Sequence, residues 1–141
     1  MKAVITGHGL FAVGLKSALE LITGPQDDLQ AIVFTEDTVL SEYQKSFDTF
    51  INTQEEGFIF TDLIGGTPFN AAMMAKADNT RFHVFGGTNL TMLLKYYEGC
   101  IVGTTRLELV ESILECGRDG IQEGLIGERE KAIDEEEGEG I

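Results

Sequence analysis

Short apolar runs alternate with amphipathic stripes along most of this 141-residue chain. Their apolar residues are continuous rather than alternating, which is typical of strands covered on both faces. These runs span residues 2–6, 29–34, 57–61 and 81–85. Between them, apolar side chains recur every three or four residues, the period of a helix with one buried face. The alternation predicts an α/β fold with an open, doubly wound, mostly parallel sheet of about four strands and helices on both faces.

Several helix boundaries are also marked in the sequence. The first three stripes cover residues 11–22, 38–52 and 68–77. Thr67 is expected to cap the third helix with its hydroxyl, and Pro68 suits the first helical position. Asn89 is expected to cap a fourth helix, and a fifth helix is expected to end at Cys116-Gly117.

Charge narrows the choice of partners. The chain has 24 acidic and 10 basic residues, for a formal net charge of −14. This excess argues against binding nucleic acid or anionic lipid, because both need clustered Lys and Arg. Residues 128–141 hold seven acidic and two basic residues and have no apolar period. We therefore expect one domain over residues 1–127, followed by an acidic C-terminal tail over 128–141.

The sequence lacks the features of export or membrane insertion. Its start runs directly into the first strand, without the basic segment, apolar stretch and cleavage site of a signal peptide. No apolar run approaches the ~20 residues of a transmembrane helix. Cys100 and Cys116 are too few for a disulfide framework or a zinc site, and are expected to be small apolar fillers. A cytoplasmic protein with no direct membrane insertion is predicted.

His8 and Asp62 are the strongest candidates for chemistry. His8 follows the first strand between two glycines, and Asp62 ends the third strand. Ligands bind at the carboxyl ends of strands in such sheets, and the first and third strands are commonly neighbours. A carboxylate there can hold the Nδ1–H of the ring and leave Nε2 as a nucleophile. Alone, each residue has a simpler interpretation, as a loop histidine and a turn aspartate; the pair favours chemistry.

Gly65, Gly66 and Thr67 come directly after Asp62 and before a helix. Free backbone N–H groups, the positive end of a helix dipole and a hydroxyl together make an anion site. Neither a Walker lysine nor a G-x-G-x-x-G spacing is present, so one phosphoryl group fits better than a nucleotide. A plain turn and cap would explain Thr67 and Pro68, but it explains the two glycines less well.

Two other features have less specific interpretations. A second glycine-rich turn, residues 86–89, follows the fourth strand. It either walls the same crevice or simply precedes the Asn89 cap. His83 lies inside the fourth strand, between Phe82 and Val84, and is predicted to be structural. No metal-ligating cluster is visible, so no metal or other cofactor is predicted.

Together these motifs resemble the enzyme IIA component of the mannose class (mannose, fructose and sorbose) of the bacterial phosphoenolpyruvate-dependent sugar phosphotransferase system. The first motif is Gly7-His8-Gly9; the others are residues 62–70 (DLIGGTPFN) and 87–93 (GTNLTML). The likeness covers residues 1 to about 126, and GGTPFN is its most specific part. It implies a homodimer, commonly made by exchange of a C-terminal strand. Residues 121–126, a weak fifth strand or coil, are the candidate for that swapped edge strand.

The resemblance also implies an activity, that of a phosphotransferase with a phosphohistidine intermediate. The family's histidine takes a phosphoryl group from HPr and passes it to a IIB subunit, here to a histidine if the class holds. His8 matches this acceptor, Asp62 the carboxylate that orients it, and Thr67 a hydroxyl residue near the phosphoryl group. The membrane components IIC and IID would take part only indirectly. The tail lacks an Ala/Pro-rich linker to IIB, so this IIA is expected to stand alone.

Three alternatives remain open at this stage. A response-regulator receiver also has an aspartate after its third strand, but it needs an acidic pair where this chain has Gly7-His8-Gly9. A non-catalytic module could use the glycine loops to bind an anion or a flavin. A IIA-like subunit for dihydroxyacetone phosphorylation would share the histidine motif, although GGTPFN is the mannose-class form. The transported sugar is not predicted, because a IIA does not touch it.

Overall fold

A computed structural model describes residues 1–127 of the chain. Within this range, four strands form one parallel sheet with helices on both faces, as predicted. The strands are β1 (Lys2–His8), β2 (Leu29–Phe34), β3 (Gly57–Thr61) and β4 (Phe82–Phe85). The helices are α1 (Phe11–Thr23), α2 (Leu40–Thr53), α3 (Thr67–Lys76), α4 (Leu90–Val102) and α5 (Arg106–Asp119).

The strand order is β2-β1-β3-β4, so β1 lies inside the sheet. The expected pairing of the first and third strands is confirmed, with Thr6 opposite Thr61. From β1 the chain runs first to one side of the sheet and then to the other. Such a switch point opens a crevice beyond the carboxyl ends of the two strands that flank it. Here those strands are β1 and β3.

Each face of the sheet carries its own apolar core, because successive strand residues point to opposite faces. Ile5 and Phe60 pack with α1, α4 and α5 on one face. Val4 and Ile59 pack with α2 and α3 on the other. Burial of one such side chain contributes about 1.5–3 kcal/mol. The two cores therefore hold the strand ends, and the residues that follow them, in fixed positions.

The strand β1 is longer than predicted and ends at His8 rather than before it. Pairing with β2 continues to the end of the strand, where His8 lies opposite Phe34. The Gly9 N–H then donates to the Phe34 carbonyl at 2.7 Å. His8 is therefore held by the sheet itself and is not a residue of a free loop.

The prediction that Thr67 caps α3 is wrong. Gly66 is the N-cap residue, in an extended conformation, and Thr67 is already the first residue of the helix. No side chain caps this helix, so the Thr67 hydroxyl is left exposed to solvent. The prediction for Asn89 is confirmed, because its side chain accepts the Met92 N–H at 3.1 Å.

Two predictions near the C-terminus also need correction. The helix α5 does not end at Gly117 but continues to Asp119. Gly117 serves helix packing instead, since a Cβ there would lie 2.6 Å from the Met92 Cγ of α4. Cys116 is half-buried, but Cys100 is exposed and is not a core filler.

Residues 121–126 form no strand in the single chain described. Three apolar side chains of this segment are exposed, those of Ile121, Leu125 and Ile126. The swapped strand therefore stays a prediction about a second copy of the chain. The acidic tail, 128–141, lies outside the described residues, so the division into domain and tail also stays a prediction. Within residues 1–127, no helix is both long and apolar enough to cross a membrane.

Candidate functional site

The structure brings His8 and Asp62 together at the carboxyl end of the sheet. The His8 Nδ1 lies 2.7 Å from the Asp62 Oδ2. The same oxygen accepts the backbone N–H of His8 at 2.8 Å. The other carboxylate oxygen, Oδ1, accepts the Leu63 N–H at 2.8 Å. Asp62 therefore fixes both the backbone and the ring of His8.

These N–H groups also control the charge of Asp62. Burial raises the pKa of this carboxyl, and its side chain is only 13% exposed. The N–H donors of His8 and Leu63 favour the ionised form and outweigh burial, so the pKa lies below its usual value. Asp62 is therefore a carboxylate at neutral pH. It accepts the Nδ1–H of a neutral His8 and so selects the tautomer whose Nε2 carries a lone pair.

Gly7 makes this close approach of strand and carboxylate possible. A Cβ at this position would lie 2.6 Å from the Phe11 Cδ1 and 2.9 Å from the Asp62 Cγ. Any side chain at residue 7 would therefore displace Asp62 or α1. Gly9 has a different role: its φ of 59° lies in the left-handed region, which glycine adopts without a steric penalty.

The second ring nitrogen of His8, Nε2, makes no hydrogen bond within the described part of the chain. The His8 side chain is 49% exposed, and its ring lies edge-on to Phe34 with the centroids 5.6 Å apart. An open crevice of about 570 Å³ adjoins the ring. The residues that line it include no lysine and no arginine: His8, Gly9, Phe34, Thr35, Glu36, Thr38 and Leu40.

The Gly65-Gly66-Thr67 segment lies beside the same ring. A Cβ at Gly66 would be 3.0 Å from the His8 Cε1, the atom that joins Nδ1 to Nε2. Gly65 turns the chain with a φ of 82°. Within the described residues, the N–H groups of these three residues have no hydrogen-bond acceptor. They lie at the start of α3, where the helix dipole is positive, and this arrangement suits an anion.

The second glycine turn does not line the crevice but supports the loop after β3. The Gly87 N–H donates to the Asp62 carbonyl at 3.0 Å, and the Thr88 N–H donates to the Thr61 carbonyl at 3.1 Å. Gly86 leaves room for the side chain of Ile64. Neither this support nor the ring contact of Phe34 was predicted from the sequence. The strand register would have placed Phe34 next to His8, had the end of β1 been predicted correctly.

His83 lies elsewhere, on the edge strand β4. Its Nε2 is 3.0 Å from the Nη1 of Arg106, and its ring packs against that of Phe58 with the centroids 5.8 Å apart. Burial lowers the pKa of His83, and the positive charges of Arg106 and Lys76 lower it further. Both the packing and the neutral state fit the predicted structural role. Among residues 1–127, no group of three or more His, Cys, Asp and Glu side chains could hold a metal ion.

Comparison with known proteins agrees with this fold. Residues 2–114 match a family model described as the PTS system fructose IIA component. The chain is 30% identical over 98 residues to the PTS system fructose-specific EIIA component of Bacillus subtilis, covering 67% of each protein. It is 29% identical over 123 residues to the PTS system mannose-specific EIIAB component of Escherichia coli, covering 84% of this chain and 38% of that protein.

Solved structures show the same likeness. The phosphotransferase system component EIIA from Streptococcus agalactiae superposes with a TM-score of 0.80 at 29% identity, covering 86% of this chain and 95% of that one. This chain belongs to the mannose, fructose and sorbose class of EIIA components of the phosphotransferase system. Membership of this family supports a phosphoryl carrier role in sugar uptake.

Proposed function

We propose that the protein accepts a phosphoryl group from phospho-HPr on the Nε2 of His8 and passes it to a IIB subunit. The observation that carries this proposal is the 2.7 Å contact between the His8 Nδ1 and the Asp62 carboxylate. This contact holds the ring in the tautomer that leaves the Nε2 lone pair free. The half-exposed ring is also open to a macromolecular donor.

The transfer step follows from this tautomer. The Nε2 lone pair of His8 attacks phosphorus, and the bond from phosphorus to the donor nitrogen breaks, with its electron pair staying on the donor. The substituted ring keeps its Nδ1–H and becomes cationic, so the Asp62 carboxylate balances the new charge. No proton needs to leave His8. The reverse chemistry then delivers the phosphoryl group to IIB and returns His8 to its neutral form.

Neutral donors are proposed to hold the phosphoryl group during transfer. Charge spreads over three equatorial oxygens in the loose transition state of phosphoryl transfer. The N–H groups of Gly65, Gly66 and Thr67 have no acceptor in the described chain, and Gly66 lies beside the ring of His8. These two observations support the proposal that the three N–H groups and the Thr67 hydroxyl bind the phosphoryl oxygens. Neutral donors of this kind stabilise developing charge without holding the product too tightly for onward transfer.

The partners follow from the same proposal. HPr is the donor and a IIB subunit is the acceptor, while IIC and IID are reached only through IIB. We further propose a homodimer in which the exposed apolar segment 121–126 pairs with a second copy. The relative from Escherichia coli is an EIIAB component, and this chain spans 38% of its length, which fits a IIA unit that works with IIB. A cytoplasmic location stays a prediction.

Phosphorylation with labelled phosphoenolpyruvate, enzyme I and HPr tests the proposal. The wild type should take up one label that is acid-labile and base-stable, as expected of phosphohistidine, and should pass it to IIB. His8→Ala should take up no label. His83→Ala is the matched control, because it removes the other histidine of the chain, and it should label normally.

Three results would overturn the proposal. Label retained in His8→Ala would place the phosphoryl group on another residue. A wild-type protein that takes up no label but is purified with a bound chromophore would favour the binding-module alternative. Acyl phosphate on Asp62, which base would release, would instead revive the receiver alternative.

A further inference from the structure

Asn70, in the first turn of α3, bonds to the glycine loop in two places. Its side-chain Nδ2 donates to the Gly65 carbonyl at 3.1 Å. Its backbone N–H donates to the Gly66 carbonyl at 2.9 Å. One residue thus fixes two successive peptide groups, Gly65–Gly66 and Gly66–Thr67. Asn70 is exposed, so packing in the protein interior does not explain the choice of an asparagine at this position.

The orientation of these two carbonyls determines where the next N–H groups point. The described chain has no cis peptide bond, and in a trans peptide the C=O and N–H groups point in opposite directions. Because Asn70 draws the carbonyls of Gly65 and Gly66 toward α3, the N–H groups of Gly66 and Thr67 point away from it. Both N–H groups have no acceptor within the described residues.

The two glycines make this orientation insecure without Asn70. A peptide between two glycines can flip with little steric cost, because neither residue has a Cβ. A flipped Gly65–Gly66 peptide would present a carbonyl oxygen where the Gly66 N–H now points. An oxygen there would repel a phosphoryl group. The Gly66–Thr67 peptide is less free to flip, because its carbonyl accepts the first backbone hydrogen bond of α3.

We propose that Asn70 is a positioning residue for phosphoryl transfer, whose side chain locks the Gly65–Gly66 peptide so that the Gly66 N–H faces the Nε2 side of His8. The proximity of Gly66 to this ring supports the direction, since a Cβ at Gly66 would lie 3.0 Å from the His8 Cε1. This proposal rests on the phosphoryl carrier function proposed above. It goes further, because it assigns a task to a residue that never touches the ring.

Asn70→Ala tests the lock. Alanine removes the side-chain donor and is a good helix former, so α3 should remain folded. Loss of one neutral hydrogen bond that matters in the transition state should slow phosphoryl transfer from phospho-HPr roughly two- to ten-fold. The rate at saturating phospho-HPr should fall while KM stays unchanged, since Asn70 positions donors and does not bind the partner. Asn79→Ala is the matched control, because Asn79 serves a turn beyond the other end of α3.

Nuclear magnetic resonance gives a readout that a merely structural role would not move. In the wild type, phosphorylation of His8 should shift the Gly66 amide proton downfield, as expected for a new bond to a phosphoryl oxygen. In phosphorylated Asn70→Ala this shift should be smaller, while the ring signals of His8 before phosphorylation should match the wild type. A wild type without label at His8 would overturn the carrier function itself. If Asn70→Ala instead labels at the wild-type rate with the wild-type Gly66 shift, only the lock is disproved.

Discussion

The two histidines of the chain lie on strands of the same sheet but in opposite electrostatic surroundings. His8 ends β1, and a carboxylate accepts the proton on its Nδ1. His83 lies within β4, and its Nε2 faces the guanidinium of Arg106 at 3.0 Å. A nearby negative charge stabilises a cationic ring, and a nearby positive charge disfavours it. Only His8 therefore suits a reaction that leaves its ring positively charged.

The backbone around the two rings differs in the same sense. His8 has glycines on both sides and the Gly65–Gly66 loop beside it, with N–H groups that lack acceptors in the described chain. His83 lies between Phe82 and Val84 in a paired strand and packs on Phe58. The proposed reactivity of His8 therefore depends on a carboxylate, on N–H groups without acceptors and on space around one ring nitrogen, and His83 lacks this combination.

The largest effect within this comparison is expected from Asp62→Asn, which removes the negative charge that lies next to the ring of His8. Losing a charge-assisted hydrogen bond costs about 1.5–3 kcal/mol. Label transfer from phospho-HPr should therefore slow by roughly ten- to a hundred-fold. An amide cannot replace both oxygens, because its NH₂ group must face either Leu63 N–H or the two donors of His8. Rapid-quench measurement of label transfer checks the prediction.

Glu36→Gln is the matched control for this variant. Glu36 lines the same crevice but makes no hydrogen bond to His8. Removing its exposed charge should change the rate by less than roughly two-fold. Equal slowing in the two variants would mean that the rate of transfer depends on the total negative charge near the crevice and not on the contact between His8 and Asp62. A wild-type rate in Asp62→Asn would show that the pair has no part in transfer.

Asp62→Asn should also change how stability depends on pH. The folded pKa of Asp62 lies below the unfolded value, so its ionised form stabilises the fold at neutral pH. That contribution is present above about pH 4 and is lost as the pH falls through the lower folded pKa. Urea unfolding between pH 2 and 7 should therefore show a weaker loss of stability in acid for the variant than for the wild type.

A smaller effect is expected from Thr67→Val, which tests the neutral donors that His83 lacks. Valine has nearly the shape of threonine but no hydroxyl. Loss of one neutral donor should slow both loading and unloading of His8 roughly two- to ten-fold. The thermal midpoint should change little, because Thr67 is exposed and its hydroxyl caps nothing. Thr67→Ser keeps the hydroxyl and should transfer at the wild-type rate. Equal rates in all three proteins would exclude the Thr67 hydroxyl from the donors that hold the phosphoryl group.

The smallest effect is expected from Arg106→Gln, which removes a positive charge from His83. The pKa of His83 should rise toward its ordinary value, because the positive charge of Arg106 no longer lowers it. Burial and Lys76 would still lower this pKa, and Glu56 would still raise it. Titration of the ring protons by nuclear magnetic resonance measures this rise. An unchanged pKa of His83 would mean that Arg106 contributes only packing.

Much of the fold was predictable because its signals are local. Continuous apolar runs and helical stripes give the strands and helices directly, and the Asn89 cap needs only its own neighbours. Two of the errors involve contacts between residues distant in sequence. β1 extends to His8 because Phe34 of β2 pairs with it. Gly117 does not end α5 but leaves room for Met92 of α4. The prediction that Thr67 caps α3 failed for a local reason, because the neighbouring Gly66 occupies the N-cap position.

The candidates for reactive groups can be read from local sequence: one histidine between glycines, one aspartate after an apolar strand, and a glycine pair before a helix. These are features of covalent structure and short-range geometry. Tertiary structure decided what they face. The pairing of β1 with β3 brings His8 within 2.7 Å of Asp62, and the turn after β4 holds the Asp62 carbonyl. The pKa of Asp62 and the direction of a peptide N–H depend on neighbours that only the folded sheet brings into contact.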